Sequence, residues 1–247
     1  PMSDKPSVLR PNDEASLQLA RTLARGARFG AIGVLDPDSG HPLTSRVLLA
    51  TDVDGVPVMI GSELATHTRA LIADPRCSIL VGEPGKGDPL AWPRLTIVST
   101  AERIERDHES YSHIRARFLR RHPKSGLYVD FPDFSFFKLN PNSANLNAGF
   151  GKAHVFSGSD LVIDSQLNNT IAINELQLLA QLNAVRGGVP NSEAIGNSEY
   201  KTGNWRLTGV DASGFDIASG GKIIRHELSR EQTDLDALIV EYQQILK

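Results

Sequence analysis

The chain has 247 residues, 40% of them hydrophobic and 22% charged, with a formal net charge of −3. That length suits one large or two modest globular domains, and the charge excludes a surface basic enough for non-specific nucleic-acid binding. A single cysteine, Cys77, excludes an intrachain disulfide and a cysteine-based zinc site. No apolar run reaches the roughly 20 residues of a membrane span, and the N-terminus lacks a signal peptide's apolar stretch, so a cytoplasmic protein with no membrane partner is expected.

Asn12 or Asp13 is placed to cap a helix ending near Gly26, with Leu17, Ala20, Leu23 and Ala24 on one face. Short strands follow at 29–35, 44–50 and 56–60, separated by Asp36-Pro37-Asp38-Ser39-Gly40 and Asp52-Val53-Asp54-Gly55. Strands at that spacing, joined by Asp/Gly turns, predict an antiparallel meander. A short helix at 65–73 is stopped by Asp74-Pro75. Strands are expected at 77–81 and 95–104, a helix at 107–121, and strands at 134–139 and 146–150. Arg115, Arg117, Arg120 and Arg121 read as the solvated side of that helix.

Ser157-Gly158-Ser159 has the composition of a linker. Beyond it the pattern predicts a helix around 171–186 ended by Gly187-Gly188, and a loop at 196–202. Three strands follow (205–210, 215–218 and 222–228), then a last helix at 231–246 capped by Ser229. The division is a β-rich domain over 12–156 and a small α/β domain over 160–247.

The chain has no Gly-x-Gly-x-x-Gly turn, no P-loop, no Gly-x-Ser-x-Gly elbow and no paired histidines. No resident metal is expected. Four patches remain. Arg46, in the strand Ser45-Arg46-Val47-Leu48-Leu49, is costly to bury unless it meets an anion; an edge ion pair is the plainer reading. Ser62 to Arg69 opens a helix after a strand, where hydroxyls and free N–H groups can cradle a phosphate or simply cap the helix. Arg94 enters the long strand and points into a cleft or into solvent. Gly149-Phe150-Gly151-Lys152 allows close approach of a flat ligand, or forms a bulge.

In this order the patches resemble the pyridoxamine 5′-phosphate oxidase-like, FMN-binding split barrels, and among them the haem-utilisation (HugZ-like) branch. The segments that carry the resemblance are Ser45–Leu49, Ala65–Arg69, Gly87–Leu90, Pro93–Thr96, Gly149–Lys152 and Trp205–Asp216. The resemblance implies an α+β protein: an antiparallel six-stranded split β-barrel followed by a small C-terminal α/β domain. It further implies a homodimer with FMN at the interface and an oxidoreductase whose small-molecule substrate is unassigned. Arg46 would meet the flavin phosphate, the backbone of Val47, Leu48 and Leu49 would line the ring, and Ser62, His67 and Thr68 would flank the phosphate. Arg94 would approach the ring. The alternatives on this scaffold are a haem-binding or haem-degrading protein and a dimer without cofactor. The haem branch's histidine motif is replaced here by Gln181-Leu182-Asn183-Ala184-Val185-Arg186, which leaves His154 or His226 as imidazole ligands.

Overall fold

A computed structural model describes residues 9–149, 151–184, 205–219 and 222–245. The expected helix stop at Gly187-Gly188, the loop at 196–202 and Phe150 lie outside those residues. The chain opens with α1 (Glu14–Gly26), whose N-cap Asp13 accepts from the Ser16 amide at 2.7 Å while the Ser16 hydroxyl accepts from the Asp13 amide. Six strands follow: β1 (Phe29–Leu35), β2 (Pro42–Thr51), β3 (Pro57–Ser62), β4 (Arg76–Val81), β5 (Arg94–Ile104) and β6 (Phe134–Asn147). Between them lie α2 (Thr66–Ala73) and α3 (Tyr111–Arg121).

All six strands are antiparallel, in the order β3-β2-β1-β4-β5-β6, and β3 pairs with β6 to close an antiparallel barrel. Closure removes the exposed edges of an open sheet. The seam is incomplete, because β2 and β3 pair only from Leu49–Met59 to Thr51–Pro57. Past that point β7 (Ala153–Ser157) takes the place of β3 on the edge of β6, and α1 and α2 bury Ala20, Ala24, Ala70 and Leu71 in the barrel core.

Two expectations for this region are corrected. The strands placed at 134–139 and 146–150 are one strand. Asn140-Pro141-Asn142 is a bulge facing the register shift at Val98/Ser99, a place where proline's missing N–H costs no ladder bond. Ser157-Gly158-Ser159 is a packed corner, not a free linker. It caps α4 (Gly158–Leu161), and a Cβ on Gly158 would lie 1.8 Å from the Pro141 carbonyl oxygen.

The second part contains α5 (Gln166–Ala184), the sheet β8 (Arg206–Asp211), β9 (Gly214–Ser219) and β10 (Lys222–Glu227), and α6 (Leu235–Ile245). Its core of Leu167, Ile171, Leu182, Phe215, Leu238 and their neighbours is separate from the barrel core, yet includes Val53 from the β2–β3 turn. Among the described residues no helix is long and apolar enough to cross a membrane.

The two parts meet through buried charge. Arg117 and Arg120 of α3 both reach Glu175 of α5, which is 3% exposed and also accepts from the Val210 amide. Arg225 grips Asp211 with two bonds of 2.6 and 2.8 Å, and Arg25 from α1 approaches the same carboxylate. Arg121 is buried as well and donates to the Arg25 carbonyl. The reading of 117, 120 and 121 as a solvated face is therefore overturned. Helical spacing does put them on one side, and their carboxylate partners arrive from later in the chain. Burial would raise the Asp211 pKa, but the attraction of Arg225 and Arg25 outweighs it and holds the group well below its ordinary value of 3.8.

Removing one partner from such a cluster leaves buried charge uncompensated, a loss of about 3–5 kcal/mol. Glu175→Gln is expected to lower the melting temperature by that much stability; calorimetry checks it, and an unchanged transition would refute the role. Burial also lowers His122, held by a bond to the Leu49 carbonyl, from 6.5 to about 4. A depressed folded pKa gives stability that is complete above pH 6.5 and lost as pH falls toward 4, here about 3 kcal/mol. Asp211 adds a second loss as pH falls below 3.8. Denaturant midpoints measured from pH 8 to 3 should fall in those two stages, and His122→Gln should flatten the first.

Candidate functional site

Strand periodicity decides where each expected site residue points. On β2, Val47 and Leu49 face the barrel core at 5% and 2% exposure, while Arg46 and Leu48 face outward. The side chains of Val47 and Leu49 are thus part of the hydrophobic interior. The Arg46 guanidinium lies over the Phe29 ring, 5.5 Å from its centroid. No carboxylate pairs with it among the described residues, unlike the plainer reading of an edge ion pair.

The paired registers extend the outer surface from Arg46. Arg46 stands beside Ala31, Ala31 beside Leu80, Leu80 beside Thr96, Thr96 beside Asn145, and Asn145 beside Val155. This row crosses β2, β1, β4, β5, β6 and β7. Phe29, Leu48, Leu80 and Val98 on this outer side are exposed by 36–44%. The result is a broad sheet face on which exposed Phe29, Leu48, Leu80, Val98 and Val155 are interspersed with Thr96 and Asn145, with a guanidinium at one margin. Exposed apolar side chains clustered in this way make the face a candidate binding surface.

The second expected segment has a different character. The Ser62 hydroxyl donates to Asp133 at 2.5 Å and accepts from the Leu64 amide at 3.1 Å. Its N-cap role for α2 is not seen: the cap is Ala65, with no side-chain bond. Thr68 is fully buried, packed against Gly61, and its Oγ1 has no hydrogen-bond partner. His67 is half-buried, and burial lowers its pKa, which favours the neutral imidazole. Arg94 opens β5 opposite Asn147 and donates to the Leu90 carbonyl at 3.2 Å. The structure thus sets Arg46 and Leu48 on the outer face, Val47 and Leu49 beneath it, and Ser62, His67 and Thr68 at the entry to α2. Cys77 is in the core, and burial pushes its thiol up to about 11.

Sequence reasoning missed two groups. The outer row of Ala31, Leu80, Thr96 and Asn145 is spread over strands far apart in the chain and becomes one surface only when the register is known. The cluster of Asp52, His113 and Lys138 was also missed. Asp52 accepts from Lys138 and is bonded to His113, each at 2.8 Å. Burial raises the Asp52 pKa, but His113 and Lys138 outweigh it and hold it well below the usual carboxylate range. This cluster fastens the β2–β3 turn to α3 and β6. Among the described residues no group of three or more metal-ligating side chains is found.

Known proteins share this architecture. The chloroplastic heme oxygenase HOZ of Arabidopsis thaliana is 31% identical over 156 residues, 63% of this chain and 46% of that protein. Heme oxygenase HutZ of Vibrio cholerae is 33% identical over 129 residues, 50% of this chain and 71% of that protein. The chain thus spans less than half the length of HOZ. The crystal structure of Atu2129 from Agrobacterium tumefaciens, a protein of unknown function, is 30% identical. It superposes with a TM-score of 0.79 over 97% of this chain and 100% of that one. Residues 11–161 match the CREG beta-barrel family. That match covers the barrel, β7 and α4, and the chain belongs to the CREG beta-barrel family.

Proposed function

We propose that this protein binds haem on the outer face of the barrel, between two copies of the chain, and takes part in its degradation. The observation that carries this reading is the row from Arg46 to Val155, with Phe29, Leu48, Leu80 and Val98 exposed on the same side. Haem is flat and apolar with carboxylates at one edge. An apolar sheet face takes the ring, and an arginine at its margin takes a carboxylate in a charge-assisted bond. The two curated relatives, each named a heme oxygenase, support the same choice. Bound there, haem would supply redox-active iron; this chain's residues would hold the ring, pair with its carboxylates and exclude water. The exposed ends of β1, β2, β4 and β5 carry no histidine on that face, so an imidazole ligand would come from another element.

The FMN reading is weaker on the same observations. A flavin ring also fits the face, but its phosphate needs free donors. Ser62 is committed to the Asp133 carboxylate, Thr68 is fully buried, and His67 is shifted toward neutrality. A dimer is part of the proposal because one copy leaves the ligand covered on one side only, and a second copy would cover the apolar row.

Haem added to the purified protein should produce a saturable Soret band, and FMN should not be bound in its place. Arg46→Ala should weaken haem binding by about 1–3 kcal/mol, the range for a charge-assisted bond left unpaired. Absence of a Soret band, with tight quenching of FMN fluorescence instead, would transfer the site to the flavin. Light scattering should give twice the chain mass of 26.8 kDa. Leu80→Asp should give monomers that bind haem weakly, and a monomeric native protein with full haem affinity would contradict the shared site.

A further inference from the structure

A cavity of about 560 Å³ lies on the opposite side of β7 from the outer face, between the chain preceding α1, the first turns of α1 and the β6–β7 turn. Its volume is within the ~300–1,000 Å³ typical of small-molecule sites. The chain preceding α1 is held against β7 by three bonds. Arg10 donates its amide to Ala153 and its Nε to Gly151, and Asn12 donates to Val155 at 2.7 Å. One wall is therefore fixed by hydrogen bonds, while Arg10 to Ala15 and Lys152 are exposed and leave the cleft open to solvent.

His154 lines the cavity from β7. It is 6% exposed, its ring is stacked on Phe156, and its Nδ1 has no hydrogen-bond partner. A buried polar atom left unpaired calls for a partner, either a water or a bound group, and here it faces an open cleft. Two cations line the same cleft: Lys152, with no ion pair among the described residues, and Arg10, whose side chain donates through Nε to Gly151. The single carboxylate on the wall, Asp13, is held by the Ser16 amide as the cap of α1 and also interacts electrostatically with His154, so a bound anion has to be held by Arg10 and Lys152 against it. The floor is apolar, from Leu19, Ala15 and Ala148.

The geometry points to a binding site for a small organic carboxylate, its apolar body on Leu19 and Ala148 and its charge between Arg10 and Lys152 beside the His154 ring. Guanidinium and ammonium groups with a ring N–H supply convergent donors for two carboxylate oxygens, and the apolar floor rejects a fully hydrated inorganic ion. The site is independent of the haem proposal, since it uses the inner side of β7 and none of the outer row.

The full chain, labelled at its histidine rings, is titrated with 2-naphthoate while the imidazole resonances are followed; His154→Asn assigns the reporter peak. The expected result is a saturable shift of the His154 resonance. In the double variant Arg10→Gln, Lys152→Ala, which keeps an amide donor at position 10 for the Gly151 carbonyl, the expected result is at least tenfold weaker binding. Two arms test the chemistry: 2-naphthalenemethanol, which lacks the charge, and inorganic phosphate, which lacks the apolar body. No saturable shift with 2-naphthoate, equal binding of either control, or undiminished affinity in the double variant would overturn the assignment.

Discussion

The contact between Arg117, Arg120 and Glu175, together with that between Arg225, Arg25 and Asp211, determines how the two halves of this molecule fit. Each group would be costly to bury alone. Paired, they are satisfied in one arrangement: α3 must meet α5, and α1 must meet the end of β8. Apolar packing of equal area would tolerate sliding; a guanidinium that also donates to the Thr51 and Val210 carbonyls does not. The docking is thus specified by hydrogen-bond geometry more than by area.

That docking reaches the candidate face through the β2–β3 turn. Arg25 donates to the Asp54 carbonyl, and Ile163 at the start of the second core donates to the same oxygen. Gly55 makes this possible. Its φ is +88°, and a Cβ there would lie 2.4 Å from the Arg25 guanidinium. Asp52, with His113 and Lys138, fixes the other side of the turn. The strand that enters this turn is β2, which carries Arg46 and Leu48. The C-terminal part thereby acts as a brace for the strand at the margin of the apolar row, although it contributes no residue to that row.

The barrel was legible in the sequence because its signals are local. Asp/Gly turns, alternating strands and Pro75 after α2 each act within a few residues, so the strand positions follow from them. The Asn140-Pro141-Asn142 segment has turn composition but sits opposite a long partner strand, and pairing with β5 decides its conformation. The arginines of α3 show the same limit: their spacing is visible, but whether the face meets water or carboxylates depends on residues more than fifty positions later, Glu175 and Asp216. The alternation on β2 correctly separates Arg46 and Leu48 from Val47 and Leu49. It does not reveal that the outer set joins Ala31, Leu80 and Thr96 into one surface, because register between strands is a property of the fold.

The same division accounts for the difference between the two cofactor readings. Ser62 and Thr68 have the right residue types and spacing for a phosphate, and sequence order places them after a strand at the start of a helix. Asp133, distant in sequence, takes the Ser62 hydroxyl, and packing against Gly61 encloses Thr68. The Ser62 hydroxyl is withdrawn by a tertiary contact, and the Thr68 hydroxyl is enclosed without a partner. The proposed haem site draws instead on Arg46 and the exposed apolar side chains of the outer face, for a ligand whose binding energy comes from its ring and whose charge is confined to carboxylates at one edge.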